Sequence, residues 1–133
     1  MKVEEIEGIG PAYQSKLNQV GITTVEQLLE VCGAPKGRKE IAEKTGISES
    51  LILKWTNHAD LIRINGIGPQ YAELLEAAGV DTVKELRNRN AENLHAKIQE
   101  VNEVKKLTGN IPSVSVVQGW IDQAKQLEPK VTH

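Results

Sequence analysis

The sequence predicts an all-α protein of about eight or nine short helices, built as two similar halves, residues 1–60 and 61–133, packed as one compact domain. Three observations predict this class. Residues 3–31 are repeated at 61–89, signals that begin and end helices recur along the chain, and the alternating pattern of a strand nowhere continues for long. We expect a pseudo-two-fold axis to relate the halves.

The repeat has an offset of 58 residues and no gap. Eleven of its 29 positions are identical, and three of these are glycines in the same order. Further along, Trp55 and Trp120 correspond when the offset grows to 65. The second half therefore carries about one or two additional helical turns before its tryptophan.

The first helices of each half follow from local signals. Pro11 directly follows Gly10 and suits the first position of a helix, where a missing N–H has no cost. Gly21 is typical of the residue that ends a helix, and Thr24–Gln27 has the pattern of a capping box that begins the next one. The same signals recur at Pro69, Gly79 and Thr82–Glu85.

The later part of each half is predicted to be helical as well. The predicted helices run over Arg38–Thr45 up to Gly46, from a Ser48 cap to about Thr56, from an Asn57 cap into the second half, from an Asn90 cap through 91–107, and from Ser113 onwards.

Composition limits the function classes. The net charge is −2 and the isoelectric point is near 5.9, whereas dedicated nucleic-acid binders usually carry a basic excess. A single cysteine, Cys32, excludes an internal disulfide, and no apolar run is long enough for a membrane span. We therefore expect a soluble, cytoplasmic protein with no membrane partner.

No pattern of residues predicts catalysis. The three histidines are scattered, and no Cys-x-x-Cys, His-x-x-x-His or carboxylate cluster with ligand spacing is present. Neither a phosphate-binding loop with lysine nor a nucleophile motif is present. We expect a protein that is not an enzyme and that needs no cofactor and no metal.

Two short motifs carry the functional prediction. The segments Ile6-Glu7-Gly8-Ile9-Gly10-Pro11 and Ile64-Asn65-Gly66-Ile67-Gly68-Pro69 each resemble the hairpin of the helix-hairpin-helix superfamily, which occurs in DNA repair, recombination and replication proteins. The pair resembles the tandem helix-hairpin-helix domain, and the whole chain resembles a bacterial family of such proteins with no assigned function. The resemblance implies that amides at the start of the following helix hold a backbone phosphate, independently of base sequence.

The two hairpins are not equally suited to an anion. Relatives that grip DNA commonly have lysine or arginine two residues after the second glycine, where this chain has Ala12 and Gln70. Hairpin one (Ile6–Pro11) lies among Glu4, Glu5 and Glu7. We therefore expect any phosphate at hairpin two (Ile64–Pro69). The candidate binding residues are Gly66, Ile67, Gly68, Gln70, Arg63, Arg87 and Arg89, with Gly8 and Gly10 as their counterparts in hairpin one.

Two functions stay open. The first is a weak, non-specific module for DNA or another nucleic acid, of about micromolar affinity or poorer because one site neutralises few phosphates. The second is a protein-interaction or scaffold domain that has lost the phosphate site, which the acidic balance and the missing basic residues favour. The sequence does not fix the oligomeric state.

The remaining conspicuous side chains are predicted to be structural. Trp55 and Trp120 are expected to be buried, and Tyr13 and Tyr71 to pack between elements rather than stack on bases. The basic cluster at Lys36–Lys39 is expected to be a solvated helix start, because Glu40 and Glu43 follow it.

Overall fold

The computed structural model describes residues 1–133 and is all-helical, which confirms the predicted class and number of helices. A 3-10 turn at Val3–Glu5 precedes the α-helices, and the only strand-like feature is an isolated bridge between Lys2 and Thr24. The helices are α1 (Pro11–Gln19), α2 (Val25–Cys32), α3 (Pro35–Thr45), α4 (Glu49–Ile62), α5 (Pro69–Ala77), α6 (Val83–Leu86), α7 (Ala91–Lys105) and α8 (Val114–Gln126). None of these helices has the length and apolar character that crossing a membrane requires.

The chain forms two compact units. The first comprises residues 1–60 together with 130–133, and the second comprises residues 61–129. Because the chain has no phenylalanine, the buried core of the second unit is aliphatic apart from one tryptophan. Its buried members include Leu61, Ile64, Leu74, Leu75, Leu86, Ile98, Trp120 and Ile121.

The turns after α1 and α5 have the same construction. Gly21 and Gly79 adopt the left-handed conformation, with φ of 84° and 94°. In the first turn the N–H of Gly21 donates to Asn18 O at 3.1 Å, and the N–H of Ile22 donates to Leu17 O at 3.0 Å. This pairing satisfies carbonyls left free at the helix end, so the predicted helix-ending glycines are confirmed.

The two predicted capping boxes differ. The Thr24 box is complete, because the Thr24 hydroxyl accepts from the Gln27 N–H while the Gln27 side chain accepts from the Thr24 N–H. The Thr82 box is only half formed. The Thr82 hydroxyl accepts from the Glu85 N–H, but the Glu85 carboxylate pairs with Arg89 at 2.7 Å instead of returning to the cap.

Helix α4 is longer than predicted. It runs unbroken from Glu49 to Ile62, so the prediction that Asn57 caps a separate short helix is wrong. Asn57 is only 6% exposed and belongs to a continuously buried stretch from Trp55 to Leu61. Burial of this stretch outweighs the preference of asparagine for helix starts.

The aromatic residues pair within each unit. Trp55 is fully buried and Trp120 is 3% exposed, as predicted. The Tyr13 ring meets Trp55 edge-on at a centroid distance of 5.0 Å, and the Tyr71 ring meets Trp120 at 5.4 Å with a tilt of 55°. Both distances are typical of favourable aromatic contacts, so the tyrosines pack against the tryptophans.

Arg38 departs from the prediction of a solvated cluster. Its side chain is 5% exposed, and Nη1 donates to the carbonyls of Cys32 and Gly33, both at 3.0 Å. Burial in turn raises the pKa of the Cys32 thiol to about 11, while the positive charge of Arg38 lowers it by a smaller amount. Carbonyls freed at the end of α2 give the buried guanidinium its acceptors.

Candidate functional site

Hairpin two is a tight turn between α4 and α5. Gly66 has a φ of 97°, a conformation that costs other residues energy because of their Cβ atoms. Ile67 is 3% exposed, and its N–H donates to Ile64 O at 3.1 Å, so the middle isoleucine fills the space inside the turn. Gly68 then precedes α5 in an extended conformation.

The start of α5 presents backbone donors. Gly68 is the cap residue and has no side chain to accept from the helix, and Pro69 has no N–H. The first intrahelical bond beyond the cap is donated by Ala72 to Gly68 O at 2.9 Å, so the preceding N–H groups of Gln70 and Tyr71 are left for other acceptors. Such donors, together with the positive end of the helix dipole, suit an anion.

Most other helices begin differently. A hydroxyl or amide side chain accepts from the first turn in five of them, at Ser48, Thr24, Thr82, Asn90 and Ser113. The two helices that follow hairpins begin instead with glycine and proline and have no side-chain cap. Helix α3 also begins with proline and without a side-chain cap, after Ala34, so the hairpins differ from it in having glycine rather than alanine at the cap position.

Two residues of helix α8, Gln123 and Trp120, contact hairpin two. The Gln123 side chain bonds both polar groups of the Asn65 backbone, since Oε1 accepts from its N–H at 3.0 Å and Nε2 donates to its carbonyl at 3.3 Å. A Cβ atom placed on Gly66 would lie 3.1 Å from Nε1 of Trp120. The Tyr71 hydroxyl donates to Asn110 O at 2.7 Å, which fixes that ring against Trp120.

Sequence reasoning missed Gln123. The residue lies 58 positions after Asn65 on a different helix, and no local motif marks it as a partner of the hairpin. For Trp120 the sequence predicts only burial, whereas the structure also places its indole nitrogen 3.1 Å from where a Cβ atom on Gly66 would lie.

The predicted arginines are not gathered at hairpin two. Arg63 directly precedes it, and Nη1 donates to Glu128 O at 2.9 Å. Arg89 donates to Gly79 O at 2.9 Å, just past the end of α5, and pairs with Glu85. Because α5 has nine residues, about 13 Å separates that end from the hairpin amides. Arg87 caps the far end of α6, which leaves Arg63 as the nearest of the three along the chain.

Hairpin one repeats the backbone of hairpin two in a more acidic setting. Gly8 has a φ of 93°, and Gly10 caps α1 without a side chain. An open hollow of about 420 Å³ is lined by Glu4, Glu5 and Glu7 together with Ile6 and Gly8–Gly10. Glu5 accepts from the Lys2 N–H, and Glu4 accepts from Gln14. These carboxylates oppose an approaching phosphate.

Comparisons with known proteins identify a family but no activity. The model of the family described as "Domain of unknown function (DUF4332)" matches residues 7–127. Neither the curated proteins nor the solved structures give a match. Since the family model covers most of the chain, the protein belongs to this family.

Proposed function

We propose that this member of the DUF4332 family is a non-enzymatic module that binds the phosphate backbone of nucleic acid, independently of sequence, at hairpin two. The observation that carries the proposal is the start of α5, where the amides of Gln70 and Tyr71 have no cap beside the left-handed Gly66. The resemblance of Ile64–Pro69 to the helix-hairpin-helix motif supplies the class of ligand.

The space around Gly68 supports the same proposal. A Cβ atom built on Gly68 would have no neighbour within 4 Å, and its φ of −95° is open to any residue. Neither strain nor packing within the chain therefore requires glycine here. A missing side chain at the helix start leaves room for a phosphate oxygen to reach the amides.

Charge limits the affinity. Residues 61–133 contain nine basic and nine acidic side chains, so this half of the chain has no basic excess that would add to the hairpin's attraction for phosphate. With one or two phosphates neutralised, binding should be micromolar or weaker and should fall steeply with salt. Hairpin one contributes little, because its glutamates oppose the ligand.

A matched pair of substitutions tests the site. Gln70 and Ala12 are exposed and occupy the same position after their hairpins, 58 residues apart. Gln70→Glu places a carboxylate beside the amides and should lower the affinity for a short DNA duplex about tenfold at low salt. Ala12→Glu should change it by less than about twofold. Both changes suit a helix start, so neither should unfold the protein.

The measurement is fluorescence anisotropy of a labelled duplex at low and at physiological salt. No binding at about 50 µM protein in low salt, where phosphate contacts are strongest, would remove the proposal. Equal losses for the two variants would place the contact outside hairpin two.

A second candidate is a protein-interaction domain. Three valines near the loop between α7 and α8 are exposed: Val104 by 82%, Val114 by 37% and Val116 by 44%. A contiguous patch of exposed apolar side chains is typical of surfaces that contact a partner, and this function requires the three valines to form such a patch. This function predicts that a co-purifying protein survives nuclease treatment and is lost in Val104→Asp, while Gln70→Glu retains it. Self-association through the same residues would appear as a concentration-dependent mass in light scattering.

A further inference from the structure

The end of α2 holds a distant piece of the chain. Residues 130–133, here called the strap, belong to the first unit. The Thr132 N–H donates to Gly33 O at 2.8 Å, and Nη2 of Arg38 donates to Thr132 O at 2.7 Å. Both polar groups of the Thr132 backbone are thus bonded, the N–H to Gly33 just after α2 and the carbonyl to the Arg38 side chain of α3.

Arg38 connects the strap to the helix end. While Nη2 bonds the strap, Nη1 of the same guanidinium donates to the carbonyls of Cys32 and Gly33. A planar guanidinium offers several donors in a fixed arrangement, so it can bridge the two segments. Arg38 is buried in this position rather than serving as a surface charge.

The strap passes so close to the backbone of residue 33 that only glycine fits there. A Cβ atom there would collide with the Lys130 carbonyl oxygen and would lie only 2.8 Å from Leu29 O, although the φ of Gly33 is an ordinary −63°. Glycine is therefore needed here because the strap and the last turn of α2 come too close for a side chain, and not because the backbone conformation is unusual.

The strap is recognised mainly through its backbone. Val131 is its only buried residue, at 7% exposure, while Lys130, Thr132 and His133 are exposed. One main-chain hydrogen bond, one hydrogen bond donated by the Arg38 side chain and one buried valine must offset the entropy lost when four residues become ordered. A segment with so few contacts opens at low free energy while the helices around it stay folded.

We propose that Gly33, just after α2, and Arg38, in the first turns of α3, form a docking site for an extended chain segment, and that residues 130–133 occupy it as a strap that undocks reversibly. Docking depends on the N–H and carbonyl of residue 132, as in other sites that bind extended peptides through their backbone. The occupant is the strap of the same molecule. The site does not involve hairpin two and is independent of the function proposed above.

A pair of substitutions in the full chain tests the strap. Thr132→Pro removes the N–H that bonds Gly33, whereas Thr132→Ala keeps it and changes only an exposed side chain. Thr132→Pro should speed amide exchange in segment 31–38 about five- to tenfold and shift the Gly33 amide resonance. Thr132→Ala should leave the exchange rates in segment 31–38 and the Gly33 resonance as they are in the natural chain. The helical circular dichroism of both variants should stay unchanged.

Docking in trans provides the second readout. A synthetic peptide of residues 127–133, added to the Thr132→Pro protein, should restore the natural Gly33 resonance in a saturable way. The same peptide carrying Thr132→Pro should not. Three results would overturn the proposal: no restoration by the natural peptide, equal effects of the two protein variants, or global unfolding of the Thr132→Pro protein. A concentration-dependent dimer of the natural chain, lost in Thr132→Pro, would instead assign the site to a strap from a second copy.

Discussion

At the scale of single residues, the hairpin glycines do two different things. Gly66 adopts a left-handed conformation and leaves no room for a side chain beside Trp120. Gly68 has ordinary dihedral angles and open space around its Cβ direction. The first glycine shapes the turn, and the second keeps the helix start accessible.

This difference predicts unequal stability effects. Gly66→Ala should lower the free energy of unfolding by about 1–3 kcal/mol, because it combines left-handed strain with a contact 3.1 Å from Trp120 Nε1. Gly68→Ala should change it by less than about 1 kcal/mol. Urea unfolding of the two variants measures both values. Equal destabilisation would mean that the turn does not depend on the conformation of Gly66.

Cys32 gives stability a pH dependence on the alkaline side. Burial raises the pKa of its thiol from 9.0 to about 11. Between these values the unfolded chain loses the thiol proton while the folded chain keeps it, so folding stability falls as pH rises through this range and is fully retained below it. The free energy of unfolding should therefore decline less steeply between pH 9 and 11 in Cys32→Ala than in the natural chain. Parallel declines would show that the thiol titrates alike in both states.

At the scale of elements, the sequence predicts best where a signal is local. The proline starts of α1 and α5, the glycine ends at Gly21 and Gly79 and the Thr24 box all depend on neighbours within a few residues, and each forms as expected. Burial explains the wrong prediction in α4. Asn57 has the local features of a cap but lies inside the buried part of α4.

Contacts between distant segments cannot be predicted from local patterns. Arg38 belongs to a basic cluster in the sequence, yet it meets Thr132, 94 positions away. Local patterns can also compete with one another: Glu85 occupies the acidic position of a capping box, but Arg89, four residues later, takes its carboxylate. The candidate site shows the same limit: the hairpin motif predicts the amides, while the support from Gln123 comes from α8.

The support from α8 leads to a prediction about hairpin two. Gln123→Ala removes both side-chain bonds to Asn65, which should speed exchange of the Asn65 amide and weaken duplex binding about three- to tenfold, because the hairpin is less preorganised. Gln126→Ala, an exposed change on the same helix, is the control and should alter neither quantity. Faster exchange with unchanged affinity would restrict Gln123 to a purely structural role.

At the scale of the whole molecule, the two units carry similar hairpin backbones with different surroundings. The first unit places glutamates around Gly8 and Gly10, and the second places Asn65, Gln70 and Arg63 near Gly66 and Gly68. With a net charge of −2 for the chain, long-range attraction to nucleic acid is weak, and affinity must come from short-range contacts at one hairpin. The salt dependence should correspond to one or two phosphates.

The most direct measurement is a titration of the isotopically labelled protein with a short DNA duplex at low salt, followed by amide NMR. The proposed function predicts saturable shifts at Gly66, Gly68, Gln70 and Tyr71, with little change at Gly8, Gly10 and Ala12. Absence of any shift at saturating duplex, or shifts confined to residues away from hairpin two, would contradict it.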